Sequence, residues 1–210
     1  LDDMVPAVPN EDGLYVGEVY VEMTADATVT PVVEPLKDCL VVKAGNELTY
    51  FLDADATLSA MGYSVTKLDH HGLTEQEVID AIPLHGKVFV FFGHGIISTG
   101  TSGGTNPVWS LHADEVPSVN SCGPFNLVYL SSCCSAQGNN AANYLAAFGA
   151  ECFLGWIGTV SGDDKFDEDF WNEMEAGQYA QAAVATAMSK NGYVYGVPPY
   201  PRIFGNTKLK

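Results

Sequence analysis

Positive charge is what this sequence has least of. Nine lysines and arginines face 26 aspartates and glutamates over 210 residues, the net charge is −17, and Arg202 is the lone arginine. So acidic a chain repels phosphate backbones, which sets nucleic-acid binding aside. Its field favours cationic substrates or metal cations, and it serves equally for solubility or a salty setting. Long apolar runs are also missing. The longest, around Val88–Phe92 and Phe125–Leu130, have the length of buried strands and fall well short of the roughly 18 residues a membrane span needs. The five cysteines (Cys39, Cys122, Cys133, Cys134 and Cys152) are odd in number and irregular in spacing, which argues against a disulfide framework. No CxxC pair offers a structural zinc site. There is no GxSxG elbow, and Gly103-Gly104 lacks the lysine and hydroxyl residue of a phosphate-binding loop. The chain begins at Leu1 without a signal-peptide pattern and reads as a processed piece of a larger parent chain, which leaves its compartment open.

What is present suits one domain with a short N-terminal appendage: 47% of residues are hydrophobic. Residues 1–36 read as an extended segment or hairpin, and the domain proper as 37–210. From Cys39 strands and helices alternate. Cys39–Lys43, Tyr63–Leu68, Lys87–Phe92, Phe125–Ser131 and Cys152–Val160 are the expected strands, with Arg202–Phe204 as a last edge strand. Helices are expected over Glu47–Met61, Glu75–Ile82, Ala141–Phe148, Phe166–Met174 and Gln178–Ser189. Thr74 with Glu77 forms a capping-box signal for the second of these. Gly95–Gly123 is long enough, for a loop in an α/β domain, to be functional, with a small strand expected at Val108–Leu111. The pattern implies an α/β three-layer sandwich, a mostly parallel sheet flanked by helices on both faces.

Ligands of such sheets sit at the carboxyl ends of the strands. Two segments put reactive groups there: Phe92-Gly93-His94-Gly95 and Ser131-Ser132-Cys133-Cys134. If their strands are neighbours, imidazole and thiol approach, and the histidine takes the thiol proton. The backbone N–H groups of Gly95 and Cys133 are then the natural donors to an oxyanion. Taken singly, a loop histidine is usually structural and a free cysteine is usually a small buried hydrophobe. The joint placement at one sheet edge is what points to catalysis.

The ordered set "VFVFFGHG…LVYLSSCCSAQG…AAFGAECFLGWIGTVSGDD…FW" resembles the clan CD cysteine peptidases, in their CHAT and gingipain-like branches, over about residues 37–210. The tail "RIFGNTKLK" is similar to that of gingipain-like domains, with Asn206-Thr207 in place of Asp-Pro. The resemblance implies a caspase-like fold and a cysteine endopeptidase acting on protein or peptide substrates, with His94 as base and Cys133 as nucleophile. It further implies a substrate groove near Trp156 and Gly158, although the family's tryptophan aligns near Gly158 and Trp156 stands two positions earlier. Ser161, Asp163 and Asp164 would line a pocket for arginine or lysine before the scissile bond, or else form a solvated acidic loop. No cofactor is implied. The acidic run Asp163, Asp164, Asp167, Glu168 and Asp169 could offer oxygen ligands to calcium, but it lacks EF-hand spacing and more simply suits a helix N-terminus. His70 and His71, adjacent on an extended segment, make a poor chelate. A regulatory partner, and a secreted or cell-surface setting, fit the resemblance and the acidic composition. The alternative is a catalytically inactive caspase-like domain that binds or scaffolds.

Overall fold

Each apolar run of the domain becomes a strand of one sheet, and how deeply it lies follows from its composition. The computed structural model describes residues 37–44, 54–69, 72–95, 111–117, 124–160 and 164–210. The strands are β1 (Asp38–Lys43), β2 (Ser64–Leu68), β3 (Val88–Phe92), β4 (Leu127–Ser131), β5 (Cys152–Ile157) and β6 (Tyr200–Gly205). They lie in the order β2-β1-β3-β4-β5-β6. All neighbouring pairs are parallel except β5 with β6, which is antiparallel. Every residue of β3 is buried, as an unbroken Val/Phe run demands, and β3 lies inside the sheet. The more polar β2 stands at one edge.

Side chains alternate between two cores, one on each face of the sheet. Val90, Phe92, Tyr129 and Trp156 pack under α1 (Ala54–Ala60), α4 (Asp164–Glu175) and α5 (Ala180–Asn191). Phe89, Phe91, Val128 and Phe153 pack under α2 (Glu75–Ala81) and α3 (Asn140–Ala147). Each such side chain removed from water contributes about 1.5–3 kcal/mol before entropy is charged against it. The expected three-layer α/β sandwich is therefore the observed architecture.

Local signals also hold. The Thr74 hydroxyl accepts from the Glu77 N–H at 3.3 Å, and Glu77 accepts in return from the Thr74 N–H at 2.8 Å, closing the capping box of α2. Strand β5 stops at Ile157 and not at Val160, because Gly158 turns into the left-handed region with φ +82. Of the helix expected over Glu47–Met61, Ala54–Ala60 is helical and residues 47–53 lie outside the described residues. Residues 1–36 and most of the small strand expected at Val108–Leu111 lie outside them too. After Leu111 the chain makes a short 3-10 turn, Ala113–Glu115. No described helix is long and apolar enough to cross a membrane.

Candidate active site

Strands β3 and β4 are direct parallel neighbours, with Phe92 opposite Ser131. His94 and Cys133 each follow the end of their strand by two residues, so both exits lie at the carboxyl edge of the sheet. The bond from Gly93 N–H to the Ser131 carbonyl, 3.4 Å, carries the pairing past the strand ends. The backbones then draw closer still. A Cβ placed on Gly95 would lie 1.5 Å from the Cys133 carbonyl oxygen and 2.6 Å from its nitrogen. Gly95 is therefore a glycine because the two main chains touch, and the two proposed oxyanion donors belong to the segments in contact. His94 is exposed and Cys133 is half-buried.

Cys133 sits on a sharp turn between β4 and α3. Cys134 adopts φ +59, a conformation that costs a residue with a Cβ about 1–2 kcal/mol. Several bonds hold the turn in place. Cys134 N–H donates to the Gly158 carbonyl at 2.9 Å, and Ala136 N–H to the Trp156 carbonyl at 2.9 Å. The fully buried Ser135 acts as a clasp. Its hydroxyl lies 2.8 Å from the Leu130 carbonyl and 2.9 Å from that of Ser132, and it accepts from the Trp156 N–H at 2.9 Å. Gly155 leaves room for it, since a Cβ there would stand 2.8 Å from the Ser135 oxygen.

The two cysteines of the doublet differ in environment. Among the described residues, Cys39, Cys134 and Cys152 are buried and Cys133 alone of the cysteines is partly open. Burial pushes the Cys39 and Cys152 thiols up to about 12. The Cys134 thiol is raised as well, first by burial and then by the neighbouring Cys133. These three stay protonated near neutrality, and a protonated thiol is a poor nucleophile. The Cys133 thiol donates to the Val160 carbonyl at 3.2 Å.

The groove residues fare differently from one another. The Trp156 ring is fully buried in the core, edge-on to Phe166 at 5.1 Å and Tyr193 at 5.2 Å, so it meets the turn through its backbone. Gly158 touches the turn through its carbonyl and lies close under Pro198. Ser161 and Asp163 lie outside the described residues, and Asp164 opens α4 with its side chain outside them. The other acids of that run point to separate partners. Glu168 pairs with Lys165 at 2.9 Å, and Asp169 accepts from Asn191 at 3.0 Å and from Lys190 at 3.4 Å. Asp167 turns inward to Tyr129 and Ser131. Among the described residues, no group of three or more such ligands could hold a metal ion. Sequence reasoning missed Ser135, the Val160 carbonyl and the inward turn of Asp167. Only Asp167 carried a signal: it falls on the helical stripe of Phe166, Phe170, Trp171 and Met174.

No protein-family model matches the chain, and no curated protein matches it. Solved structures do. The Arg specific cysteine proteinase gingipain R (RGPB) superposes with a TM-score of 0.56 at 16% identity, over 83% of this chain and 47% of its own. The chain thus spans about half the length of that protein. The structure of drICE matches with a TM-score of 0.44 at 14% identity, over 84% of this chain and 92% of its own. With its strand order, its single antiparallel edge strand and its helices on both faces, the chain has the caspase-like α/β fold that it shares with gingipain R.

Proposed function

We propose that this domain is a cysteine endopeptidase in which His94 is the general base and Cys133 the nucleophile. The observation that carries the reading is the contact of Gly95 with the Cys133 backbone at the carboxyl ends of two adjacent parallel strands. A peptide entering there displaces the Val160 carbonyl from the thiol. The Cys133 proton passes to His94, and the sulfur attacks the scissile carbonyl carbon. The oxyanion accepts from the N–H groups of Gly95 and Cys133. His94 returns the proton to the leaving amine as the C–N bond breaks, and water then hydrolyses the thioester with His94 again as base.

Cleavage after arginine or lysine is the specificity this reading favours. Asp163 and Asp164 follow Val160, whose carbonyl takes the Cys133 thiol, by three and four positions in the sequence, and the chain's excess of 17 negative charges draws cationic peptides. Gingipain R, by its own description, is Arg specific. The second reading, an inactive binding domain, is favoured by the bond that ties the Cys133 thiol to Val160. An electrophilic thiol-directed activity probe separates the two. Labelling of the wild type that vanishes in Cys133→Ala and survives in Cys134→Ala supports the peptidase. An unlabelled wild type supports the binding domain. A peptide panel with no preference for Arg or Lys over Asp, Asn and Leu removes the basic specificity.

A further inference from the structure

We propose that Asp167 is a positioning residue for Cys133, acting through the Ser131 hydroxyl; this deepens the peptidase reading and rests on it. Asp167 is 3% exposed and lies on the apolar face of α4, where a carboxylate needs donors to persist. Two are in place. One oxygen accepts from the buried Tyr129 hydroxyl, and the other from the Ser131 hydroxyl at 3.3 Å, longer than the 2.7–2.8 Å usual for such bonds. Burial, followed by the Asp167 charge, holds the Tyr129 phenol well above its ordinary range, so it remains a donor.

Ser131 is where three parts of the candidate site meet. Its carbonyl accepts from Gly93 N–H, on the strand exit that carries His94. Its hydroxyl reaches α4. Its chain runs on through Ser132 to Cys133. Across from the thiol stands Val160, in the connection that leaves β5 and enters α4 at Asp164. That connection is anchored at one end by β5, paired to β4, and at the other by α4. Beside the packing of Phe170 and Trp171 on Tyr129, the Asp167 carboxylate fastens the first turns of α4 to the end of β4 through Ser131. It thereby sets the gap between the Cys133 turn and the wall facing it. The neighbouring acids are engaged elsewhere, Glu168 with Lys165, and Asp169 with Asn191 and Lys190 on α5.

The test uses Ser131→Ala, Ser131→Thr and Asp167→Asn in the full chain. It reads kcat and KM on a peptide that the wild type cleaves, the unfolding midpoint, and the rate at which iodoacetamide alkylates Cys133, followed by peptide mass spectrometry. Ser131→Ala keeps the Tyr129–Asp167 bond and hence the fold. It is expected to lower kcat about tenfold at unchanged KM, to lower the midpoint modestly because Asp167 loses one donor, and to shift the alkylation rate at least threefold. Ser131→Thr, which keeps the hydroxyl, restores kcat and the alkylation rate, and Asp167→Asn lowers kcat further. Wild-type kcat and alkylation in Ser131→Ala and Asp167→Asn overturn the proposal while leaving the peptidase standing. If the wild type cleaves nothing and takes no activity probe, the peptidase reading fails separately. The alkylation rates then decide the positioning role alone, and equal rates in all variants overturn it.

Discussion

Replacing Gly95 by alanine probes the meeting of the two main chains on which the proposed chemistry depends. The new methyl carbon would stand 1.5 Å from the Cys133 carbonyl oxygen, 2.4 Å from its carbonyl carbon and 2.6 Å from its nitrogen. An ordinary carbon–oxygen contact is about 3.3 Å, so the segments must part by roughly 1.8 Å. Both sides of the clash are backbone, and no side-chain rotation relieves it. A displacement of about 1 Å at reacting groups is enough to cost on the order of 100-fold in rate. Loss of one aligned oxyanion donor costs about 100- to 1,000-fold, or roughly 3–4 kcal/mol. Gly95→Ala is therefore expected to lower kcat by at least about 100-fold. The fold should survive, because Gly95 lies beyond the end of β3 and outside both cores. The assay pairs steady-state kinetics on a cleaved peptide with circular dichroism and urea unfolding. Turnover within threefold of wild type, in a protein with an unchanged unfolding curve, would refute the argument that these two N–H groups share one oxyanion site.

Two further outcomes follow from the same region and its cores. Ser135→Ala removes the acceptor of the buried Trp156 N–H, and leaving that donor unpaired is expected to cost about 1–3 kcal/mol, read as a lower urea midpoint at constant m value. An unshifted midpoint shows that water takes the hydroxyl's place. Cys39 and Cys152 titrate near 9.0 when exposed and at about 12 when folded, so the fold prefers their neutral form. Their contribution to stability is complete below about pH 9 and is lost as pH rises from there towards 12. Unfolding free energies measured from pH 7 to 11 should fall across that limb, and the fall should be shallower in Cys39→Ala and Cys152→Ala. An equal slope in wild type and variants contradicts the account.

The strand-and-helix pattern is legible because local chemistry decides it. The short Val/Phe run VFVFF suits a buried strand by its length and its β-branched and aromatic content, and Thr74 with Glu77 caps a helix through bonds that span three residues. The apolar side chain of Val160 extends the expected strand at Cys152 three residues too far, whereas the chain turns at Gly158, whose left-handed φ no pattern of hydrophobicity records. A motif offset points to Trp156 as a groove residue. Its ring is instead enclosed by Phe166 and Tyr193, which come from the following helix and the segment beyond α5.

The sequence by itself determined the layers of this protein, since the period of its apolar residues states which element buries which face. It also named His94 and Cys133 as residues at strand exits. Only the tertiary structure decided that β3 and β4 are neighbours in a register setting those exits side by side. It decided likewise that Cys133 and not Cys134 keeps an open thiol, and that Asp167, on the apolar stripe of its helix, meets the hydroxyls of Tyr129 and Ser131. These facts depend on groups far apart along the chain. Their energies come from burial and hydrogen bonds that exist only once the strands have packed.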